Sequence, residues 1–284
     1  MIESTHYPNI VIRTVEVNGI TINVATSGTG PAVLLLHGWP HTWQLWRNLV
    51  PFLTTDYCVI APDLRGIGAT TLADNGYDLH TLADDAAALL EALDVEQASV
   101  VGIDLGVSIA TMLALRHPAR TRHLIVTEGL VGKLPGAEAF LANGAPWWFG
   151  FHGTPGLAES VLEDHADRYI DWFLINGTAD RKGIDPAIRD AFVTAYQTRE
   201  RLRCGFKHYR AFPVGARQLV EAVAQTKLSV PILALAGGVV GTAVANQLRP
   251  VSADLTTGVI ENCGHLVPLE QPQALAVAIR GFIA

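Results

Sequence analysis

Three short motifs hold the residues of this chain best suited to covalent chemistry. The first, Gly102-Ile103-Asp104-Leu105-Gly106, follows an apolar run and precedes a stretch with helical spacing. A sharp turn in that position presents its central side chain, and the glycines let neighbouring chain come close. Amides opening the next helix favour negative charge at the turn. Asp104 is therefore the candidate nucleophile, although the same pentapeptide also suits a plain turn with an aspartate N-cap.

The second motif, His37-Gly38-Trp39-Pro40, ends another buried run and can aim a backbone N–H at the nucleophile. Trp39 N–H and Leu105 N–H are the candidate oxyanion-hole donors. The third, Gly264-His265, comes after the last apolar run, with Pro268 and Glu270 beyond it. An aspartate is already ionised at neutral pH and attacks saturated carbon without a base. His265 is then free to activate the water that cleaves the resulting ester. That division of labour argues against a serine-type esterase. In Pro62-Asp63-Leu64-Arg65-Gly66-Ile67-Gly68, Asp63 and Arg65 are expected to fix the loop rather than react.

The elements that must position these groups follow from the hydrophobic pattern. Residues 10–17 and 20–25 are β-rich and joined by Asn18-Gly19, a hairpin signal. Residues 32–36, 57–61 and 98–103 read as short buried strands, and 124–127, 230–236 and 255–260 as further strands. Helical spacing at 82–93, 105–116 and from Pro272 alternates with them, which implies a mostly parallel α/β sheet with helices on both faces. From Val131 to about Arg217 helical stretches and aromatic clusters replace the strands. The expected organisation is a core of residues 1–130 and 218–284 with a helical cap of residues 131–217 over the ligand-binding end.

Bulk properties narrow the function classes. The chain has 284 residues and a formal charge of −7, a field that repels phosphate backbones, so no nucleic acid is expected as a partner. Residues 1–10 lack the basic flank and apolar stretch of a signal peptide, and no apolar run is long enough for a bilayer. Cys58, Cys204 and Cys263 have no CxxC spacing and read as thiols of a reducing compartment. A cytoplasmic location and no membrane partner are expected. No histidine has ligand spacing with carboxylates or cysteines, so no metal is expected, and the chemistry needs no cofactor. His41, His80, His117, His123, His152, His165 and His208 read as surface, helix-end or cap residues, with His152 and His208 placed by the cap where they could line a pocket. A homodimer is left open.

On the elbow, His37-Gly38-Trp39-Pro40, Asp63 to Gly68 and Gly264-His265, the chain resembles the α/β-hydrolase superfamily, and within it the aspartate-nucleophile branch of epoxide hydrolases and dehalogenases. The resemblance covers nearly the whole chain and implies the α/β-hydrolase fold with an inserted cap and a cis Trp39–Pro40 peptide. Haloalkane dehalogenases of this branch often carry Trp after the nucleophile and Asn after His-Gly, and fluoroacetate dehalogenases carry Arg after the nucleophile. Here Leu105 and Trp39 stand at those positions, and His-Gly-aromatic-Pro is similar to epoxide hydrolases. The implied activity is hydrolysis of an apolar epoxide, an ether-bond substrate, to a vicinal diol through an ester on Asp104. A dehalogenase using the same aspartate is the nearest rival. A hydrolase-fold binding protein without turnover is a third reading.

In epoxide hydrolases cap residues hold the epoxide oxygen. Residues 206–211 resemble the segment carrying the second such tyrosine, which makes Tyr209 the expected donor, with Trp147 or Trp148 orienting the oxygen. Both tryptophans also suit packing within the cap. The acid that orients His265 is absent after residues 230–236, where the chain reads Gly237-Gly238-Val239-Val240. The family's other location matches Glu128, the expected orienting carboxylate; a capping role in the loop is the alternative.

Overall fold

Runs of aliphatic and β-branched residues form the strands, and Gly28, Pro62 and Gly237 mark the ends of three of them. The computed structural model describes residues 10–284. The signal-peptide reading of the first residues lies outside these. Among the described residues eight strands form one sheet: β1 (Val11–Val17), β2 (Ile20–Ser27), β3 (Ala32–Leu36), β4 (Cys58–Pro62), β5 (Ala98–Ile103), β6 (Thr121–Thr127), β7 (Ile232–Ala236) and β8 (Leu255–Val259). Their spatial order is β1-β2-β4-β3-β5-β6-β7-β8. β2 is antiparallel to β1 and to β4, while the remaining neighbours run parallel. The β1–β2 turn has φ of 47° at Asn18 and 74° at Gly19, the paired positive values of a two-residue hairpin.

The described residues also form twelve α-helices: α1 (Val50–Leu53), α2 (Leu79–Ala92), α3 (Leu105–Arg116), α4 (Trp147–Gly153), α5 (Leu157–Leu162), α6 (Ala166–Asn176), α7 (Pro186–Thr194), α8 (Arg199–Arg210), α9 (Phe212–Gln225), α10 (Ala243–Leu248), α11 (Val267–Glu270) and α12 (Pro272–Ile283). β3, β5 and β7 are buried along their whole length, which is why their sequences are continuously apolar. Helix α3 packs on β3, β5 and β6, and α10 on β7. Between β6 and β7 the described residues form helices α4 to α9 and no strand, with one isolated bridge from Leu228 to Ser252. Helix α9 runs through residue 217 and packs on α2 and α3, so the boundary drawn there falls inside a helix that rests on the core.

Strand register determines which residues meet at one end of the sheet. Leu36 pairs with Gly102, Ile103 with Thr127, Thr127 with Leu235, and Ala236 with Val259. The residues just beyond these pairs are His37, Asp104, Glu128 and Gly237. All lie at the carboxyl ends of parallel strands, where open α/β sheets place their ligands. Among the described residues no helix is long and apolar enough to cross a membrane.

Candidate active site

Asp104 sits at the corner between β5 and α3 with φ 55° and ψ −122°, a conformation that L-residues rarely adopt. The turn is possible because its surroundings lack side chains. A Cβ on Gly102 would stand 2.4 Å from Gly106 O, and one on Gly106 would stand 2.1 Å from Leu36 O. A Cβ on Gly38 would meet Asp104 Oδ1 at 2.1 Å. The glycines of the two motifs therefore let the His37-Gly38 loop lie against the carboxylate itself.

Trp39 N–H donates to Asp104 Oδ1 at 2.9 Å, and Leu105 N–H also bonds this carboxylate. The Trp39–Pro40 peptide is cis. The His37 ring holds the loop from behind, with Nδ1 2.7 Å from Gly38 O and Nε2 accepting from Leu64 N–H at 3.1 Å. Asp63 accepts from Asn23 Nδ2 at 2.8 Å, Trp43 N–H at 2.8 Å and Ala69 N–H at 3.0 Å. Arg65 pairs through two bonds with buried Asp85 at 2.8 and 2.9 Å. These two residues fix the loop, as their sequence setting suggests.

His265 stands between two carboxylates. Its Nε2 is 3.5 Å from Asp104 Oδ2, and its Nδ1 is 3.4 Å from Glu128 Oε2. Both separations are long for hydrogen bonds. The histidine loop is clamped: His265 N–H donates to Gly177 O at 2.6 Å, and Glu270 accepts from Gly264 and Leu266 N–H at 2.9 and 3.2 Å. The other oxygen of Glu270 accepts from Ala179 N–H at 2.8 Å, tying this loop to the segment after α6.

Glu128 is fully buried with φ 44°. Its carboxylate accepts from Gly237 and Gly241 N–H at 3.0 and 3.2 Å and from Val240 N–H at 2.9 Å. The turn after β7 that lacks an acid thus receives one from the neighbouring strand.

Charges in this cluster favour an imidazolium between two carboxylates. Burial lowers the basicity of His265, but hydrogen bonds and charge from Asp104 and Glu128 override it and push its pKa up to about 10. Burial alone would raise the Asp104 and Glu128 carboxyls; His265 and the backbone amides outweigh it and hold both below the ordinary carboxylate range.

Above the carboxylate lies an aromatic cage centred on buried Trp39. Its indole contacts His152 at 4.6 Å between ring centres, Phe173 at 4.9 Å, Tyr196 at 5.8 Å and Tyr209 at 5.9 Å. Tyr209 and His152 lie 4.4 Å apart, edge to face. Burial, and then the Asp104 charge, push the Tyr209 phenol well above its usual value, so it keeps its proton.

Trp147 and Trp148 are placed differently. Trp147 is 54% exposed and packs on Trp148, Phe151, Tyr169, Trp172 and Phe173, while Trp148 packs on Phe149, Trp172 and Phe173. On the same helix it is His152 that meets both Trp39 and Tyr209.

His41 departs from its sequence reading as a surface, helix-end or cap residue. It is buried, 6.2 Å from the His265 ring and 5.3 Å from Phe192, with Nδ1 unpartnered. Burial lowers its pKa to about 3, so it is neutral. Its place directly after Pro40 in the loop that touches Asp104 is the signal that could have found it. His208 is buried with Nε2 2.9 Å from Arg65 O, anchoring α8 on the loop after β4. Among the described residues no three His, Cys, Asp or Glu side chains group as metal ligands.

Comparisons with known proteins agree with this architecture. The α/β hydrolase fold family model matches residues 31–272. A soluble epoxide hydrolase of Corynebacterium sp. (strain C12) is 30% identical over 291 residues, spanning 99% of this chain and 98% of the relative. The crystal structure of Cfl2 from Burkholderia cenocepacia superposes with a TM-score of 0.91 at 28% identity, covering 99% of this chain and 98% of that one. A fluoroacetate dehalogenase of a Burkholderia species is 30% identical over 182 residues, 61% of this chain and 60% of its own length.

Proposed function

Given that this chain belongs to the α/β-hydrolase fold family and is epoxide-hydrolase-like within it, we propose that it converts an epoxide to a vicinal diol through a covalent ester on Asp104. The observation that carries this reading is the carboxylate at the elbow. Asp104 is held ionised by His265 while Trp39 N–H already rests on its Oδ1. An ionised carboxylate opens an epoxide by displacement at carbon, with no base needed for the first step.

Ring opening places negative charge on the epoxide oxygen, and a donor must meet it. Tyr209 and His152, facing one another beside Trp39, are assigned that task. Trp147 and Trp148 are not, since their rings pack within the cap and one of them is largely exposed. The helices between β6 and α9 are read as the cap that carries these donors, with an apolar aromatic wall around the substrate.

The second step follows from the change in charge at Asp104. Esterification removes one of the two carboxylates that stabilise the His265 imidazolium, so its pKa falls and its proton is released. Neutral His265, steadied at Nδ1 by Glu128, then takes a proton from water as the water attacks the Asp104 ester carbonyl. Trp39 and Leu105 N–H donate to the oxyanion of the tetrahedral intermediate. The His265 proton goes to the epoxide oxygen in the first step, and in the second one proton of water returns to His265 while its hydroxyl adds to the carbonyl carbon. Collapse of the intermediate breaks the ester C–O bond to the substrate, and the added hydroxyl's proton passes to the departing diol oxygen, so Asp104 is restored as a carboxylate.

The deciding experiment is a single turnover in ¹⁸O-labelled water followed by peptide mapping. Label in the Asp104 carboxylate establishes hydrolysis of an ester at that residue; label confined to the diol sinks the mechanism. The dehalogenase reading has one observation in its favour, partial likeness to a fluoroacetate dehalogenase. Halide rather than diol release across a small panel of haloacids, haloalkanes and epoxides would select it.

A further inference from the structure

The oxygen donors assigned above raise a question that Tyr209 does not share with His152. A phenol has one hydroxyl, always able to donate, whereas a neutral imidazole donates from only one of its nitrogens. His152 is fully buried, and burial, with Arg210 next in effect, lowers its pKa to about 3, so it is neutral at working pH. Its Nε2 lies 2.7 Å from the hydroxyl of Tyr169 on α6. Its Nδ1 is buried and has no partner. The ring is stacked on Phe206 at 4.3 Å and lies edge-on to Tyr209 and Trp39.

We propose that Tyr169 is a positioning residue: its O–H donates to His152 Nε2 and so fixes the tautomer protonated at Nδ1, the nitrogen that then donates to the epoxide oxygen. The assignment rests on the reading of His152 as an oxygen donor. A phenol is a better hydrogen-bond donor than a neutral imidazole, and an imidazole nitrogen is a better acceptor than a phenol oxygen, so the bond favours this direction. Burial keeps the Tyr169 proton in place by pushing its pKa far up. The opposite tautomer would leave a lone pair on Nδ1 to face the developing alkoxide. The orienting of one ring nitrogen by a partner on the other is the logic of Glu128 and His265, repeated in the cap.

Tyr169→Phe keeps the ring that packs on Trp39 and Phe173 and removes only the hydroxyl. Long-range ¹H–¹⁵N correlation spectra of the ring-labelled full chain should show the wild-type His152 protonated at Nδ1 and the variant shifted towards Nε2. Single-turnover alkylation should slow about tenfold in Tyr169→Phe, the size of one lost hydrogen bond, with ester hydrolysis unchanged. His152→Asn, whose amide N–H falls near the Nδ1 position, should alkylate faster than His152→Gln. A wild-type signal at Nε2–H, or a variant with unaltered tautomer and alkylation, overturns the assignment. Unchanged alkylation in His152→Ala removes the donor role and the proposal with it. Failure to find any ester on Asp104 overturns the epoxide reading instead, and the tautomer spectra tell the two apart.

Discussion

Gly237 and Glu128 occupy one site from two strands. A Cβ on Gly237 would lie 2.8 Å from both Cγ and Oε1 of Glu128, and Gly237 N–H donates to that same Oε1 at 3.0 Å. The turn after β7 therefore accepts the carboxylate only because it carries no side chain of its own at that point. It also offers Val240 and Gly241 N–H to a charge that would otherwise be buried without compensation. An acid just after β6 and an empty turn after β7 form a single arrangement.

Gly237→Ala is expected to displace Glu128, because the atoms a methyl would strike are held by backbone amides and cannot swing aside. Overpacking of this kind costs about 1–3 kcal/mol. Urea unfolding should show a lower midpoint at unchanged m-value, and the ester on Asp104 should persist longer in rapid-quench mass spectra. A midpoint and ester lifetime equal to wild type would mean that the turn tolerates the side chain.

Glu128→Gln leaves the shape of the side chain but removes its charge. The imidazole loses the carboxylate that steadies Nδ1, and the new amide N–H₂ has to face backbone donors. Water attack should slow on the order of 10³-fold while alkylation continues, so the ester accumulates in intact-mass spectra. Rapid turnover with no accumulated ester would place the orienting acid elsewhere.

Tyr209→Phe and Trp147→Phe should separate donor from packing. Tyr209 is buried beside Trp39 and His152, and loss of its hydroxyl should slow alkylation on the order of 10²-fold. Trp147 is 54% exposed, and its replacement should leave both steps within about twofold of wild type. Stopped-flow single-turnover traces give both rates, and equal losses in the two variants would contradict the placement.

Stability should peak near pH 6.5 and fall on both sides. On the acid side, burial holds His41 and His152 neutral down to about 3 and His208 to about 4. The unfolded chain protonates these residues near 6.5, so it binds more protons and gains as pH falls from 6.5 towards 4. Each such histidine contributes about 1.4 kcal/mol of lost stability per pH unit in that window. On the alkaline side, His265 has its pKa raised to about 10, so its contribution is complete below 6.5 and is lost as pH rises towards 10. Thermal unfolding at pH 5, 6.5 and 9 checks both arms. His208→Gln should blunt the acid arm, and a flat profile would show that these histidines titrate in the folded protein as they do in the unfolded one.

Much of the fold was legible because local signals agree with it. Asn18-Gly19 predicts the observed hairpin, and the apolar runs at 32–36 and 98–103 coincide with β3 and β5, whose neighbours bury both faces. The helix over 105–116 matches as well, since Asp104 begins it and Pro118 follows it. The antiparallel hairpin edge and the helical segment after β6 needed only composition and turn residues. The closeness of the elbow to His37-Gly38 fits the glycines of both motifs, since a Cβ on Gly106 or Gly38 would strike the facing segment.

What the chain's own order determined is the set of candidate reactive groups and the elements that carry them: Asp104 at a tight corner, His265 in a late loop, Tyr209 on a helix of the segment between β6 and β7. Tertiary structure decided which groups meet. Glu128 reaches the turn after β7 because Thr127 pairs with Leu235, a register no local pattern expresses. His152 rather than Trp147 or Trp148 faces Trp39 because the buried side of α4 is chosen by the helices packed on it, not by the residues of α4 alone. His41 is neutral and buried because Phe192, far along the chain on α7, closes over it. Local sequence sets conformation over a few residues, whereas burial and contact are properties of surfaces brought together by the whole fold.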